Sequence, residues 1–356
     1  MSQDRSGNGT GAVYTQTNDP DHNEIIVYRR TLDGSLTPLG AHDTGGLGLG
    51  KPHLASQGSV VLSGDGRWLF VVNAGSDDVS VFAVGTEGTD ELTLVDRAGS
   101  GGATPTSVAE HDGLLYVLST GGGADPAALH GFRISDEGRI SPLEGSRRAL
   151  SQADADPAQI GFSPDGSTLV VTERATNSIS AYAVERNGSV EGPTVVASAG
   201  PTPYGFGFTR AGVLVVTEAA GGRTGAASTS SYSLSGPGRL SLVSGPVGDT
   251  RTEVCWAAIR PDDRYVYVTN FGDGTVSTYA ISGDGRIDLL HPVAATTVDG
   301  QKGIRDEAVS RDGRYLYALH ADVQKVFGWE VHEDGSLTPV GAFGDLPTTV
   351  AGIAAS

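Results

Sequence analysis

Hydrophobic positions in this chain come in short bursts rather than long stripes. The runs "WLFVVN", "TLVVTE", "YVYVTN" and "YLYALH" are nearly continuous apolar stretches of strand length that end in a polar residue. Each follows a turn written "SGDGR", "SPDGS", "RPDDR" or "SRDGR", and each turn follows a shorter apolar run such as "IGFS" or "AAIR". Proline sets φ and Asp-Gly accepts a tight turn, so these segments predict two strands joined as a hairpin. A polar loop then leads to a third run that ends on an aromatic: Tyr28, Phe82, Phe132, Tyr182, Tyr232, Tyr279 and Trp329. Another Asp-Gly or Asn-Gly turn, as in "LDGSLTPLG" or "EDGSLTPVG", introduces a fourth.

The aromatic positions recur about every fifty residues, which makes seven units. Four antiparallel strands per unit, repeated radially, predict an all-β fold, a seven-bladed β-propeller of four-stranded blades. The first unit, from "GAVYTQTN", lacks an innermost strand, and the spare segment "TTVAGIAAS" near the other end can supply it, leaving no open edge. One domain over residues 1–356 is expected, with residues 1–10 as a flexible tail. A β-sandwich or two stacked domains gives no account of the spacing.

Composition agrees, since 52 glycines and 17 prolines suit many tight turns. A net charge of −18 disfavours nucleic acid and anionic membrane surfaces, which are bound by displacing counterions with Lys and Arg. Cys255 is the single cysteine, so no disulfide forms within the chain. No apolar run approaches the roughly 18 residues of a membrane helix, and the first residues lack the pattern of a signal peptide. These features predict a cytoplasmic monomer that acts on a small molecule.

Loops at the mouth of the central channel are the natural place for chemistry, because a rigid scaffold positions them. The last residue of the second strand aligns across the units as Thr17 (or its neighbour Asn18), Asn73, Ser119, Glu173, Glu218, Asn270 and His320. Short polar residues there often bond loop backbone, which is the plain reading of Asn73, Ser119 and Asn270. Glu173, Glu218 and His320 are less usual caps, and the two glutamates, in "LVVTERATN" and "LVVTEAAGG", are candidates for a proton-transfer pair or for a solvated rim. His320 would be a second proton carrier.

The starts of the innermost strands face the same mouth. They offer Gln57 and Ser59, Gln159, Tyr204, Trp256, and Arg305 with Asp306 as substrate-binding candidates. Arg305 presents a forked donor pair to a carboxylate, or else pairs internally with Asp306 or Glu307. Trp256 and Tyr204 serve as flat walls or as core. No metal or cofactor is expected: no G-x-S-x-G or H-E-x-x-H motif occurs, and the trio Asp154, Asp156 and Glu173 is read as a solvated connection rather than a cation site. Cys255 reads as a small buried hydrophobe.

The segments "SGDGRWLFVVNAGSDDVSVFAV", "SPDGSTLVVTE" and "RPDDRYVYVTNFGDGTVSTYAI" resemble the seven-bladed propeller lactonases, which include 6-phosphogluconolactonase and carboxy-cis,cis-muconate cyclase. "SQGS", "ADADPAQIGFSPDG" and "VVTE" look closer still to a bacterial branch of that family. The resemblance spans essentially the whole chain. It implies metal-independent lactone hydrolysis or the reverse ring closure, with a histidine, arginines and a glutamate around the mouth. Carried over by position, Ala158 stands in the histidine's place, "GPTPYGF" has neither Arg nor His where the family writes both, and Asn270-Phe271 replaces Asn-Arg. Glu218 follows Thr217 where the family writes Asn-Glu, one place out of step, and the Arg of the last blade survives as Arg305. Two readings stay open: a lactonase-like enzyme acting on a carboxylate-bearing lactone or unsaturated acid, and a non-catalytic propeller that binds a metabolite or protein. An open pocket with Glu173, Glu218, Arg305 and His320 converging would favour the first, and a channel plugged by Trp256, Tyr204 and Phe206 the second.

Overall fold

The computed structural model describes residues 10–51, 54–85 and 91–356. The predicted tail, save Thr10, lies outside them. Seven antiparallel sheets are arranged as blades, each running from an innermost strand outward in chain order. The innermost strands of blades two to seven are Val60–Leu62, Pro105–His111, Pro157–Phe162, Pro203–Phe208, Val254–Ile259 and Ile304–Val309. Blade one takes its innermost strand from the far end of the chain, Ala351–Ala355, which pairs antiparallel with Gly11–Gln16. The Ser356 backbone N–H donates to the Ala12 carbonyl at 2.9 Å, and Arg30, only 2% exposed, joins the Ser356 carbonyl and Asp312, both at 3.2 Å. The predicted closure is therefore the observed one.

The hairpin turns repeat one device. In "SPDGS" the Ser163 hydroxyl donates to Asp165 at 2.6 Å and accepts the Thr168 N–H, while Gly166 takes φ +67°. Ser63–Asp65 and Ser310–Asp312 do the same. In "RPDDR" Asp263 adopts the left-handed conformation at φ +63°, which Asp tolerates better than most side chains.

The seven third-strand aromatics are each at most 2% exposed. Each fills the gap between neighbouring sheets, and burying such a ring contributes about 2 kcal/mol. Tyrosine hydroxyls there reach backbone: Tyr182 donates to the Ala149 carbonyl at 2.9 Å and Tyr279 to that of Val247 at 3.0 Å. Blade three differs from the regular pattern, because its outer strand is split into Ile140–Pro142 and Arg148–Ala149. Pro142 offers no N–H, a turn closes from the Ser146 N–H to the Leu143 carbonyl, and the Ser146 hydroxyl accepts the Gly131 N–H while the Gly131 carbonyl accepts that of Leu143.

Candidate active site at the channel mouth

The second strands end at the face opposite the Asp-Gly turns, and their terminal side chains do one job in several blades. Asn73 donates to Asp78 at 2.5 Å and to Ser80 at 2.8 Å on the third strand, and accepts from Asn23 and Thr44 of the preceding blade, both at 2.8 Å. Asn270 donates to Thr275 at 3.1 Å and to Ser277 at 2.9 Å. Ser119, at the same register in blade three, is 1% exposed. Thr17 is 8% exposed and bonds Asn23, whereas its neighbour Asn18 reaches the carbonyls of Lys51 and Thr349.

Glu173 and Glu218 occupy this same register and are fully buried. Glu173 accepts from the Ser151 backbone N–H at 3.0 Å, Thr176 at 3.0 Å and Ser180 at 2.6 Å, as well as from the Ser151 hydroxyl. Glu218 accepts from the Gly200 N–H at 2.9 Å, Ser228 at 2.6 Å and Ser198 at 3.3 Å. Each carboxylate thus pins the loop arriving from the preceding blade to its own third strand. The expected shared rim does not form: the alternation of the strand points these side chains between sheets, and their acceptor sites are filled from within. His320 is also fully buried beside Gly303 of the incoming loop; burial lowers its pKa, with Asp322 opposing. The threonine of each "VVTE" reaches the next blade, Thr172 to the Tyr204 carbonyl at 2.5 Å and Thr217 to that of Cys255 at 2.7 Å. The third-strand serine seven residues on, as at Ser80, Ser180 and Ser277, was the sequence signal that would have exposed this clamp.

Gln57 and Gln159 act on backbone as well. Gln159 exchanges two hydrogen bonds with Phe206 of blade five, at 3.0 and 2.7 Å. Gln57 crosses the channel from blade two to blade six, donating to the Ala257 carbonyl at 2.8 Å and accepting its N–H at 3.0 Å. The Trp256 indole N–H donates back to the Ser56 carbonyl at 3.1 Å. Ser59 is fully buried in the same wall. These links plug the channel part-way and divide an upper mouth from a lower chamber.

Above the plug, Ala158, Tyr204, Ala219, Cys255 and Trp256 form a buried apolar floor with Phe271 beside it. The Tyr204 and Trp256 rings lie 5.4 Å apart. Two guanidinium groups border this floor. Arg174 sits 4.9 Å over the Tyr204 ring, donates to its hydroxyl at 3.2 Å and pairs with Asp156. Arg305 sits 5.6 Å over the Phe271 ring and meets Asp322 at 3.5 Å. The Arg305 side chain is 6% exposed, and its Nε and Nη1 have no hydrogen-bond partner among the described residues. Burial lowers its pKa, while Asp322 and Asp306 oppose that shift. Burial raises the Cys255 thiol and the Tyr204 phenol well above their usual range, so neither is a nucleophile near neutral pH. Asp306 lines the lower chamber, with its carboxyl close enough to Arg305 for the two charges to interact. Asp154 is exposed, and no group of three or more His, Cys, Asp or Glu able to hold a metal ion occurs among the described residues.

A sequence model of the family described as "Lactonase, 7-bladed beta-propeller" matches residues 129–228 and 243–356, more than half of the chain. The chain belongs to this lactonase family. No curated protein matches it in sequence. Among solved structures, a Bacteroides uniformis protein described as a candidate 6-phosphogluconolactonase is similar, at 18% identity and TM-score 0.75, covering 96% of this chain and 99% of that one. The periplasmic gluconolactonase PpgL of Pseudomonas aeruginosa shares 17% identity at TM-score 0.73, with 95% and 97% covered. A Lactobacillus plantarum protein matches at 15% identity and TM-score 0.74, with 97% and 98% covered. At such identities these likenesses establish the lactonase fold alone. Among the described residues, no helix is long and apolar enough to cross a membrane.

Proposed function

We propose that this lactonase-family propeller hydrolyses a small carboxylate-bearing lactone at the upper mouth, or closes such a ring from an unsaturated acid. The observation that carries the reading is Arg305: a guanidinium almost removed from water whose Nε and Nη1 have no partner among the described residues. Such buried donors favour an anionic partner, because leaving them unpaired costs about 1–3 kcal/mol. The Phe271 ring and the Tyr204–Trp256 floor provide flat apolar walls for the rest of the ring. Asp322, almost half exposed and 3.5 Å from Arg305, is the carboxylate placed to accept the proton of an attacking water. In that step the water oxygen bonds to the lactone carbonyl carbon, the ring C–O bond breaks, and the released alkoxide regains a proton. Glu173 and Glu218 position the loops around this mouth. The protein acts as a monomer in this reading.

The test is a lactone panel followed by pH-stat titration with wild type, Arg305→Lys and Arg305→Ala. Arg305→Ala should lower kcat/KM about a hundredfold, as expected for losing a buried charge-assisted hydrogen bond, and Arg305→Lys should recover only part. Turnover unchanged in Arg305→Ala removes the assignment. The second reading, a propeller that binds without catalysis, is supported by the plugged channel and the filled acceptors of Glu173 and Glu218. It predicts calorimetric binding of a carboxylate at Arg305 with no product formed.

A further inference from the structure

The loops that enter blades three to six share one contact. The residue before each innermost strand takes a left-handed backbone, and its carbonyl accepts the N–H just past the second strand of the same blade. Thr104 accepts from Thr120 at 2.9 Å, Asp156 from Arg174 at 3.1 Å, Thr202 from Ala219 at 2.9 Å and Glu253 from Phe271 at 3.0 Å. In blade four this contact sets Asp156 beside Arg174, and their side chains pair. Blade six also carries an acid here, Glu253, but the residue held against it is Phe271. The matching cation is missing.

Glu253 is partly buried, and its carboxyl lies over Gly222 of blade five, 3.8 Å from where a side chain there would begin. The nearest arginines of the two loops are engaged elsewhere: Arg223 donates to the Ala220 carbonyl at 3.1 Å, and Arg251 meets Asp273 at 3.8 Å. Lys302, on the loop into blade seven, acts on Glu253 electrostatically without a direct ion pair. The Cys255 sulfur, in the apolar floor, feels the charges of Glu253, Arg174 and Arg305 together, so the acid and both guanidinium groups converge on that floor. Phe271 links two of them, since its N–H holds the Glu253 carbonyl and its ring lies under Arg305.

Hydrolysis at this mouth needs two proton carriers, one for the attacking water and one for the departing oxygen, and Asp322 supplies the first. Resting on that hydrolytic reading, we propose that Glu253 is the catalytic acid, giving its proton to the ring oxygen as the lactone C–O bond breaks. The water oxygen bonds to the carbonyl carbon and its proton goes to Asp322. The ring oxygen keeps the electron pair of the broken bond and takes the Glu253 proton, after which a proton passes from Asp322 to Glu253 through solvent. Partial burial raises the Glu253 carboxyl above its ordinary range, with Lys302 opposing, so the acid form persists to higher pH than in an exposed glutamate. A direct ion pair of the Asp156–Arg174 kind would hold that proton off, and Phe271 in place of an arginine avoids it.

The experiment compares two carboxylated lactones, a γ-butyrolactone whose leaving group is an aliphatic alkoxide and a dihydrocoumarin whose leaving group is a phenoxide. An alkoxide departs only with a proton, whereas a phenoxide departs without one. Glu253→Gln should lower kcat/KM at pH 7 about a hundredfold on the butyrolactone and no more than about fivefold on the dihydrocoumarin. On the butyrolactone, wild-type kcat/KM should fall as pH rises through the Glu253 pKa, and Glu253→Gln should lack that limb. Phe271→Arg, which restores the pairing of blade four, should move the limb to lower pH. The proposal is overturned by equal losses on both lactones, by no loss on either, or by an alkaline limb that survives Glu253→Gln. Wild-type turnover that requires Arg305 but not Glu253 removes this proposal alone, whereas no wild-type turnover of either lactone removes the hydrolytic reading together with it.

Discussion

Replacing Glu173 separates a loop clamp from a proton carrier. Its carboxylate accepts four hydrogen bonds from Ser151, Thr176 and Ser180, and it is fully buried. Glu173→Ala strands the Ser151 N–H and three hydroxyls in a closed site, a loss of about 4 kcal/mol for a buried charged network. At about 2.1 cal/mol/K of unfolding entropy per residue, a chain of this length should then melt about 5 °C lower. Glu173→Gln keeps one carbonyl and offers an amide to hydroxyls that can rotate to accept it, so its loss should be about 1 kcal/mol. Scanning calorimetry at pH 7 reads both shifts. Activity measured well below the melting temperature should be unchanged in Glu173→Gln. Two results would refute this: an alanine variant melting within a degree of wild type, or a glutamine variant that melts normally and has lost turnover.

Other perturbations probe other parts of the frame. Asp249 is buried, accepts from the Arg251 N–H at 2.8 Å and from Ser277 at 3.3 Å, and has its pKa raised by burial to about 6. The folded state therefore binds more protons than the unfolded one between about pH 4 and 6, and stability falls as pH rises through that window. Asp249→Asn should melt higher than wild type at pH 7, by up to about 3 kcal/mol, and equally at pH 4; a parallel pH profile would contradict the shift. Arg30→Ala removes the links to Asp312 and Ser356 and should destabilise by about 3 kcal/mol in a denaturant melt. Gln57→Ala breaks both bonds to Ala257, which should lower stability by about 2 kcal/mol and quicken hydrogen exchange at Ala257, while a neutral change would show that the plug carries no load.

The blade repeat was legible because it rests on strand period, turn chemistry and one aromatic per unit, all local properties of the chain. The closing strand was legible for a similar reason, an unmatched run at each end. The direction of side chains at the second-strand terminus was not. Glu173 and Glu218 share a register with Asn73 and Asn270, and only the blade geometry shows that this register points between sheets rather than at the axis. Trp256 and Tyr204 were ambiguous for a related reason, since a ring that floors a mouth and a ring that fills a core are written alike. Gln57 reaching 200 residues along the chain to Ala257 has no local sequence signal at all. Arg305 was found from residue chemistry and family position together, and what the structure adds is its burial and its unpaired donors.

The pairing of Gly11–Gln16 with Ala351–Ala355 also bears on how the chain matures on the ribosome. Blades two to seven can each assemble from consecutive strands as they emerge, but blade one must wait, one edge bare, until its partner arrives more than 330 residues later. During that interval the strand Gly11–Gln16 presents unpaired amides and carbonyls, a ready template for another nascent copy. Ring closure is therefore a timing problem as much as a packing one. The Arg30–Ser356 latch forms only once that late strand has docked, when a free edge becomes part of a sealed ring.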